Sequence, residues 1–328
     1  MKKINILNLN IVKYLKNNKN KRYLLKIFIN FIFILFFSFF LFIRNIKVCI
    51  CTYWKKENLY IREFVEHYKN YSVDKIFLYD NNEIGGEHFE DVINDYIETK
   101  YVDLYNFRGK QTPLMEILND CYKKNYKNYD WLIFYEIDEF LYIKEHYIKD
   151  INNIKEFLQL NRFKNCERIQ LNWIFHTDNN QLFYVNRTLK ERFPEREKKA
   201  RGVKKGDWNG IKSILRGHIP NMKIECVHTI NHKLKSCDGF GNPKKIDRII
   251  TRPVDFYNYY IDHYYCKSTE EFINKINKGD TLYGNKSKIP RIKTYFSYNK
   301  ITKEKIDLIE NGTGFNLSEY RKFIKNQK

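Results

Sequence analysis

The 328-residue sequence lacks the short motifs that mark several common enzyme and binding classes. It has no GxSxG elbow, P-loop or GxGxxG segment, which argues against an α/β-hydrolase, a P-loop nucleotide hydrolase and a dinucleotide-binding domain. It also has no zinc-finger spacing, RNP-type aromatic motif or recognisable helix-turn-helix. With only 13 glycines and 6 prolines, it has no glycine- and proline-rich linker to mark a second domain, and no internal repeat.

The seven cysteines show no CxxC spacing, so neither a zinc site nor a thioredoxin-like motif is indicated. Cys49 and Cys51 would share one face of a strand, and we predict that both are buried thiols. The other five could form disulfide bonds outside the cytosol, but their spacing does not fix a pairing. N-glycosylation sequons, which fit such a compartment without establishing it, occur at Asn70, Asn186, Asn285, Asn311 and Asn316.

The chain is strongly basic at its N-terminus and carries a long apolar run directly after it. Residues 1–26 hold eight basic and no acidic residues, and removing these eight from the net charge of +20 leaves +12. Residues 27–43 are almost unbroken in their apolar character, and as a helix they would reach roughly 26 Å, close to the thickness of a bilayer core. No small-residue cleavage site follows, so we predict an uncleaved transmembrane signal anchor, with a cleaved signal or a buried helix as alternatives. The positive-inside rule then predicts a single-pass type II membrane protein with residues 1–26 as its cytosolic tail.

Short apolar runs alternate with amphipathic helical patterns after the apolar run. Strands are predicted at 48–53, 74–80, 101–107 and 131–141. Helices are predicted between them at 57–70, 89–98 and 113–124. This alternation predicts an α/β fold with a mixed, mostly parallel sheet flanked by helices. Later strands are predicted at 169–175, 211–215, 225–230 and 256–265, and a helix with a capping box at 268–278.

Acidic residues end the fourth predicted strand. Glu136 and Asp138 are two apart, so on a strand both carboxylates would point to the same face and repel each other. A divalent cation removes this repulsion, and magnesium held by one or two carboxylates plus substrate phosphates is the ordinary form of such a site. Tyr53, Asp80 and Arg108 fall at the ends of the other strands, where α/β sheets bind ligands. The sequence therefore predicts a metal site that binds a diphosphate.

An ordered series of segments from about residue 48 to residue 279 resembles glycosyltransferase family 92 and related family-2-like transferases. The segments are CTYWKKEN, LYDNN, YDWLIFYEIDEFL, IQLNWIFHTDN, GIKSI and IDHYYCKSTEEFINKINKG. The resemblance implies a GT-A-like fold over 46–285, and we predict a helical C-terminal extension over 286–328. It also implies a hexosyltransferase-type enzyme that uses a nucleotide-sugar donor, a glycan or glycoconjugate acceptor, Mn²⁺ (or Mg²⁺) and inversion. In a eukaryotic host it also fits a type II membrane protein of the Golgi. We expect no nucleic-acid partner.

The resemblance also assigns metal ligands. Glu136 and Asp138 stand at the positions of the family's DxD metal motif, with Glu in place of the usual first Asp. GT-A enzymes often add a late histidine, for which His228, His232 and His263 compete. We predict His228 as this ligand.

Further residues are predicted to bind the substrates or to act in catalysis. Asp80 stands where a donor nucleoside contact is expected, although it could simply cap the turn after its strand. Asp178, Asp207 and Glu225 compete for the role of catalytic base, and we favour Asp178 because it follows a predicted strand. Glu139 would orient a base, contact the acceptor or support the metal ligands. Other predicted substrate contacts are Tyr53, Asn82, Arg108, Lys212 at the donor phosphate, and Trp173, which would stack on a sugar or fill the core.

Three other functions remain as alternatives. A basic nucleic-acid-binding membrane protein would fit the charge but not the missing motifs. A glycoside hydrolase would need its two carboxylates across a cleft, whereas Glu136 and Asp138 are neighbours on one segment. A catalytically inactive glycosyltransferase relative would explain the glutamate at the first position of the motif.

Overall fold

The computed structural model describes residues 46–111, 113–144, 151, 153–197, 210–226, 228, 230–231, 233–244, 258–279 and 288–325. The predicted anchor at 27–43 lies outside these residues. Within them, no helix is long and apolar enough to cross a membrane. The predicted transferase domain and C-terminal extension both fall in one compact unit, Ile46–Lys328.

The first half of this unit alternates strands and helices as predicted, with bounds that differ by a few residues. The strands are β1 (Val48–Trp54), β2 (Lys75–Asp80), β3 (Val102–Asn106) and β4 (Trp131–Ile133). The helices are α1 (Asn58–Asn70), α2 (Glu90–Glu98) and α3 (Leu114–Asn125). β1 pairs in parallel with both β2 and β4, and β2 with β3. In α1, Ile61, Phe64, Val65 and Tyr68 recur at helical spacing and are fully buried, so one face of this helix packs on the sheet.

The predicted fourth strand is divided in two, which corrects the expected placement of the acidic residues. β4 ends at Ile133, and β5 (Glu139–Ile143) pairs antiparallel with β10 (Tyr259–His263) at the other end of the strand order. Glu136 and Asp138 therefore lie in the connection at 134–138, and strand alternation does not set their direction. The connection looked like a strand because its apolar residues are buried just as strand residues would be.

The second half completes a mixed sheet. It adds β6 (Arg168–Phe175), β7 (Ile211–Arg216), β8 (Ser236–Asp238) and β9 (Pro243–Lys244). It also adds the short helices α4 (Ile154–Leu158) and α5 (Leu189–Arg192), a 3₁₀ turn at Asn161–Phe163, and α6 (Thr269–Asn277). Among the described residues the strand order is β3-β2-β1-β4-β7-β6-β10-β5, with β8 beside β6 and β9 beside β8. The sheet is thus mixed and mostly parallel, as predicted.

The strand predicted at 225–230 is wrong. Cys226 and Ile230 form only an isolated antiparallel bridge with each other. Because these partners are four residues apart, the chain reverses within the stretch and cannot run on as a strand.

Three C-terminal helices follow in the predicted extension. They are α7 (Lys288–Tyr298), α8 (Lys303–Thr313) and α9 (Ser318–Lys325). Ile292, Tyr295 and Ile306 form one apolar core with Phe272 and Ile276 of α6. The three helices thus pack on the same unit as the sheet and fix the position of α6.

Two disulfide bonds join distant parts of the chain. Cys51 of β1 is bonded to Cys121 of α3, and Cys166 is bonded to Cys237 of β8. Cys49 is a buried thiol, as predicted, whereas the same prediction for Cys51 is wrong. Both side chains face α3, but only Cys51 has a cysteine opposite it on that helix.

Candidate functional site

Three of the predicted and competing metal ligands converge in the structure. The ligand atoms of Glu136, Asp138 and His263 all lie within 4.8 Å of one another. His263 ends β10, opposite Glu139 in the antiparallel register with β5, which brings its ring beside the connection that carries the carboxylates. The backbone N–H of Tyr264 donates to the Asp138 carbonyl at 2.9 Å and fixes the two segments together.

Buried atoms without hydrogen-bond partners indicate that this cluster fits a metal ion. Asp138 Oδ1 and both ring nitrogens of His263 have no hydrogen-bond partner among the described residues. His263 Nε2 lies 3.4 Å from Asp138 Oδ1 but is not aligned for a hydrogen bond. Buried polar atoms are rarely left unpaired in folded proteins. A divalent cation with nitrogen and oxygen ligands would satisfy these atoms together.

Two buried lysines balance most of the acidic charge. Lys212 Nζ lies 2.8 Å from Glu136 Oε1 and 3.1 Å from Glu139 Oε2, and Lys275 Nζ lies 2.8 Å from Asp138 Oδ2. Glu136 and Asp138 balance the two ammonium groups, so the cluster is neutral while Glu139 is protonated and carries one net negative charge once Glu139 is ionised. Because two carboxylates hold the Lys212 ammonium, the structure shows it as their counter-ion, while its predicted phosphate contact stays a prediction.

The electrostatic surroundings keep the ligands in metal-binding form. Burial alone would raise the pKa of Asp138, but Lys275 and His263 hold it well below its usual range. Burial also opposes ionisation of Glu136, whose pKa is nevertheless lowered by Lys212. Burial lowers the pKa of His263, which favours the neutral imidazole that metals bind.

Glu139 differs from these ligands, because burial raises its pKa to about 8. Its side chain is fully buried, and Glu139 Oε2 accepts a hydrogen bond from the backbone N–H of Glu136 at 2.9 Å. This contact holds the connection in place. The geometry therefore favours support of the metal ligands over contact with an acceptor.

His228 lies near the cluster but is not one of the converging three. Its Nδ1 is 3.1 Å from the Ile211 carbonyl, and burial, together with Lys212, lowers its pKa to about 3. Both features also suit a metal-bound imidazole, but only His263 brings a ring nitrogen within 4.8 Å of both carboxylates. The structure therefore favours His263 over His228 as the candidate histidine ligand, while His232 lies outside the described residues. Sequence spacing gave no signal for this choice.

Trp173 lies between the two histidines. Its ring centroid is 5.1 Å from that of His228 and 5.7 Å from that of His263. A Cβ atom on Gly210 would come within 1.7 Å of the indole, so the glycine allows the ring to lie against the backbone. Trp173 is half-buried and forms one wall of the cluster, and its stacking on a sugar stays a prediction.

Asp80 and Arg108 meet at the ends of β2 and β3. Arg108 Nη2 lies 2.6 Å from Asp80 Oδ2, and Asp80 Oδ1 accepts from the Asn82 N–H at 2.9 Å. Arg108 also donates to the carbonyls of Glu83 and Glu87. Asp80 therefore does cap its turn, and both side chains are already paired with protein groups.

Unpaired polar atoms lie beside this pair. Asn82 Nδ2, Trp54 Nε1 and Thr52 Oγ1 are buried without a hydrogen-bond partner among the described residues. No sequence pattern indicated Thr52 or Trp54, and the predicted substrate contact was Tyr53 between them. Tyr53 points to the opposite face of β1 and is buried in the core against α3, which does not support a substrate contact.

The predicted base Asp178 lies among the C-terminal helices. Asp178 Oδ2 is 2.6 Å from both the Tyr295 hydroxyl and Lys305 Nζ, and its Oδ1 accepts from the Asn180 N–H at 2.9 Å. Such a saturated, buried carboxylate is explained by a structural ion pair and not by a catalytic base. Of its competitors, Asp207 lies outside the described residues and Glu225 is exposed on a loop.

Comparison with known proteins places most of the chain in one family. The family model described as Glycosyltransferase family 92 matches residues 44–307. A glycosyltransferase family 92 protein of Arabidopsis thaliana is 25% identical over 104 residues, which cover 30% of this chain and 17% of that protein. S. aureus TarS is similar with a TM-score of 0.32 and 10% identity, over 84% of this chain and 49% of TarS. Its 1–349 fragment in complex with UDP-GlcNAc has a TM-score of 0.36 and 10% identity, over 84% of this chain and 80% of the fragment.

Proposed function

The chain belongs to glycosyltransferase family 92, and from that membership we propose that it transfers a sugar from a nucleotide-diphosphate donor to a glycan or glycoconjugate. We propose further that the fold is GT-A-like, that the transfer depends on Mn²⁺ or Mg²⁺, and that it inverts the anomeric carbon. The observation that carries the proposal is the convergence of Glu136, Asp138 and His263, with buried ligand atoms that lack partners.

The site residues have distinct roles in this proposal. Glu136, Asp138 and His263 would hold the cation, which when bound supplies positive charge to the departing diphosphate. Lys212 keeps Glu136 ionised, and Glu139 holds the connection through the Glu136 N–H. In the transfer the acceptor oxygen bonds to the anomeric carbon and loses its proton, while the bond from that carbon to the diphosphate oxygen breaks.

We also propose that this part of the chain works in an oxidising compartment. The disulfide bonds Cys51–Cys121 and Cys166–Cys237 support this location, because such bonds are rare in the cytosol. A signal anchor at 27–43 would place the enzyme in a membrane as a type II protein, in the Golgi of a eukaryotic host.

A donor-hydrolysis assay tests the proposed activity. The purified full chain is incubated with a panel of nucleotide-diphosphate sugars, and release of the nucleoside diphosphate is measured with Mn²⁺, after EDTA, and after Mn²⁺ is restored. We expect release from at least one donor that EDTA abolishes and Mn²⁺ restores. Release that EDTA does not affect would contradict the metal dependence. If the chain neither binds nor hydrolyses any donor, it is an inactive relative.

The histidine ligand gives a second prediction. His263→Ala should weaken Mn²⁺ binding by at least about a hundredfold, because it removes a ligand from the cluster. His228→Ala should change it by less than about fivefold, because His228 is not among the three residues whose ligand atoms converge. Loss of the free Mn²⁺ signal in electron paramagnetic resonance measures both affinities. Equal losses in the two variants would show that both histidines are ligands.

A further inference from the structure

The structure points to a second role for the buried lysine Lys275, in addition to its ion pair with Asp138. We propose that Lys275 has two alternating partners: Asp138 when the site holds no cation, and the diphosphate of the donor when a cation is bound. This inference rests on the proposed function and adds a donor-binding residue to it.

The position of Lys275 is fixed by its helix. α6 begins with a capping box in which Ser268 and Glu271 satisfy each other's backbone N–H groups. Phe272 and Ile276 anchor the helix in the core of the C-terminal helices. The remaining face directs the Lys275 side chain at Asp138.

The contacts of Lys275 leave it freer to move than Lys212. Its Nζ donates to Asp138 Oδ2 at 2.8 Å and to the Tyr265 carbonyl at 3.2 Å. Nζ also lies 4.1 Å from the ring centroid of Tyr265, so its other contacts are with one carbonyl and one aromatic ring. Lys212, by contrast, is held by two carboxylates, Glu136 and Glu139. A movement of the ammonium away from its present position would therefore break one carboxylate contact for Lys275 but two for Lys212.

A bound cation would compete with Lys275 for the negative charge of Asp138. The metal would bind Asp138 Oδ1, while the ammonium occupies Oδ2 of the same carboxylate. Two cations on one carboxylate repel each other, which would weaken the ion pair between Asp138 and the ammonium. A divalent cation adds two positive charges to the cluster, and a diphosphate can then replace Asp138 as the partner of the ammonium.

The end of α6 also lies close to the end of β1. Lys278, just after the helix, has its Nζ 4.5 Å from the ring centroid of Trp54 at the end of β1. Trp54 is one of the buried residues with an unpaired donor at the strand ends. Lys275 therefore contacts the metal cluster while Lys278, three residues later, contacts the strand end, and we infer that a diphosphate bound between the two regions would reach Lys275.

Two binding measurements on the full chain separate this role from structural support. Mn²⁺ alone is titrated by electron paramagnetic resonance. UDP and GDP are titrated by calorimetry at saturating Mn²⁺, and the nucleotide that the wild type binds more tightly is used. Lys275→Met should strengthen Mn²⁺ binding by at least about tenfold and weaken nucleotide binding by roughly 10- to 100-fold. Lys275→Arg keeps the charge, so both dissociation constants should stay within about fivefold of the wild type.

Lys305→Met is the matched control, because Lys305 is also a buried lysine paired with an aspartate, Asp178, at 2.6 Å. It should lower the melting temperature but leave both dissociation constants of the folded protein unchanged. The inference is overturned if Lys275→Met weakens Mn²⁺ and nucleotide binding together, or changes neither. If the wild type itself binds no Mn²⁺, the proposed metal-dependent function fails as well.

Discussion

Asp138→Asn is expected to lower sugar-transfer turnover by at least about 10³-fold. Asparagine keeps the size of the side chain and can still accept from Lys275, but it removes one negative charge. The cluster becomes more positive by one charge, so the cation loses both a ligand and part of the charge that attracts it. Release of nucleoside diphosphate in single-donor assays measures the effect.

Asp178→Asn is the control for this prediction. Asp138 and Asp178 are equally buried, at 2% exposure, and each is paired with a lysine. Asp178→Asn should destabilise the fold, yet the folded protein should keep its turnover and its Mn²⁺ affinity. If Asp178→Asn instead abolished turnover while Mn²⁺ binding stayed intact, Asp178 would be the catalytic base after all. Full turnover in Asp138→Asn would contradict the metal site.

The first half of the fold could be predicted because its signals are local. Each of its strands is a short apolar run, and α1 places its apolar residues at helical spacing. The break after Ile133 could not be predicted in this way. Phe134, Tyr135 and Ile137 are buried, so burial gives the connection the same composition as a strand.

The partners in the site could not be predicted because they depend on long-range packing. His263 reaches the carboxylates through the pairing of β10 with β5, which no local pattern specifies. Asp178 follows a strand, as a catalytic base would, but Tyr295, 117 residues further along the chain, covers it. Residue type and spacing therefore indicated Glu136 and Asp138 as candidate ligands, whereas the approach of His263 and the buried counter-ions required the structure.

Loss of either disulfide bond should destabilise the protein strongly. The two bonds join cysteines 70 and 71 residues apart, so each restricts a long loop of the unfolded chain. The chain-entropy relation gives about 4 kcal/mol for each bond, which corresponds to roughly 8–16 °C in melting temperature for a domain of this size. We expect Cys51→Ala/Cys121→Ala and Cys166→Ala/Cys237→Ala each to lower the melting temperature by this amount in calorimetry.

Cys49→Ala is the control for the double variants, because it removes a buried sulfur without breaking a disulfide bond. Cys49 is fully buried and unbonded, and it lies on the same strand face as Cys51. This variant should lose only the packing of one thiol, and a reductant should lower its melting temperature as much as that of the wild type. In each double variant the reductant should act on one remaining bond and have about half the effect. A wild-type melting temperature that does not respond to reductant would mean that the four cysteines are thiols, which would also remove the support for an oxidising compartment.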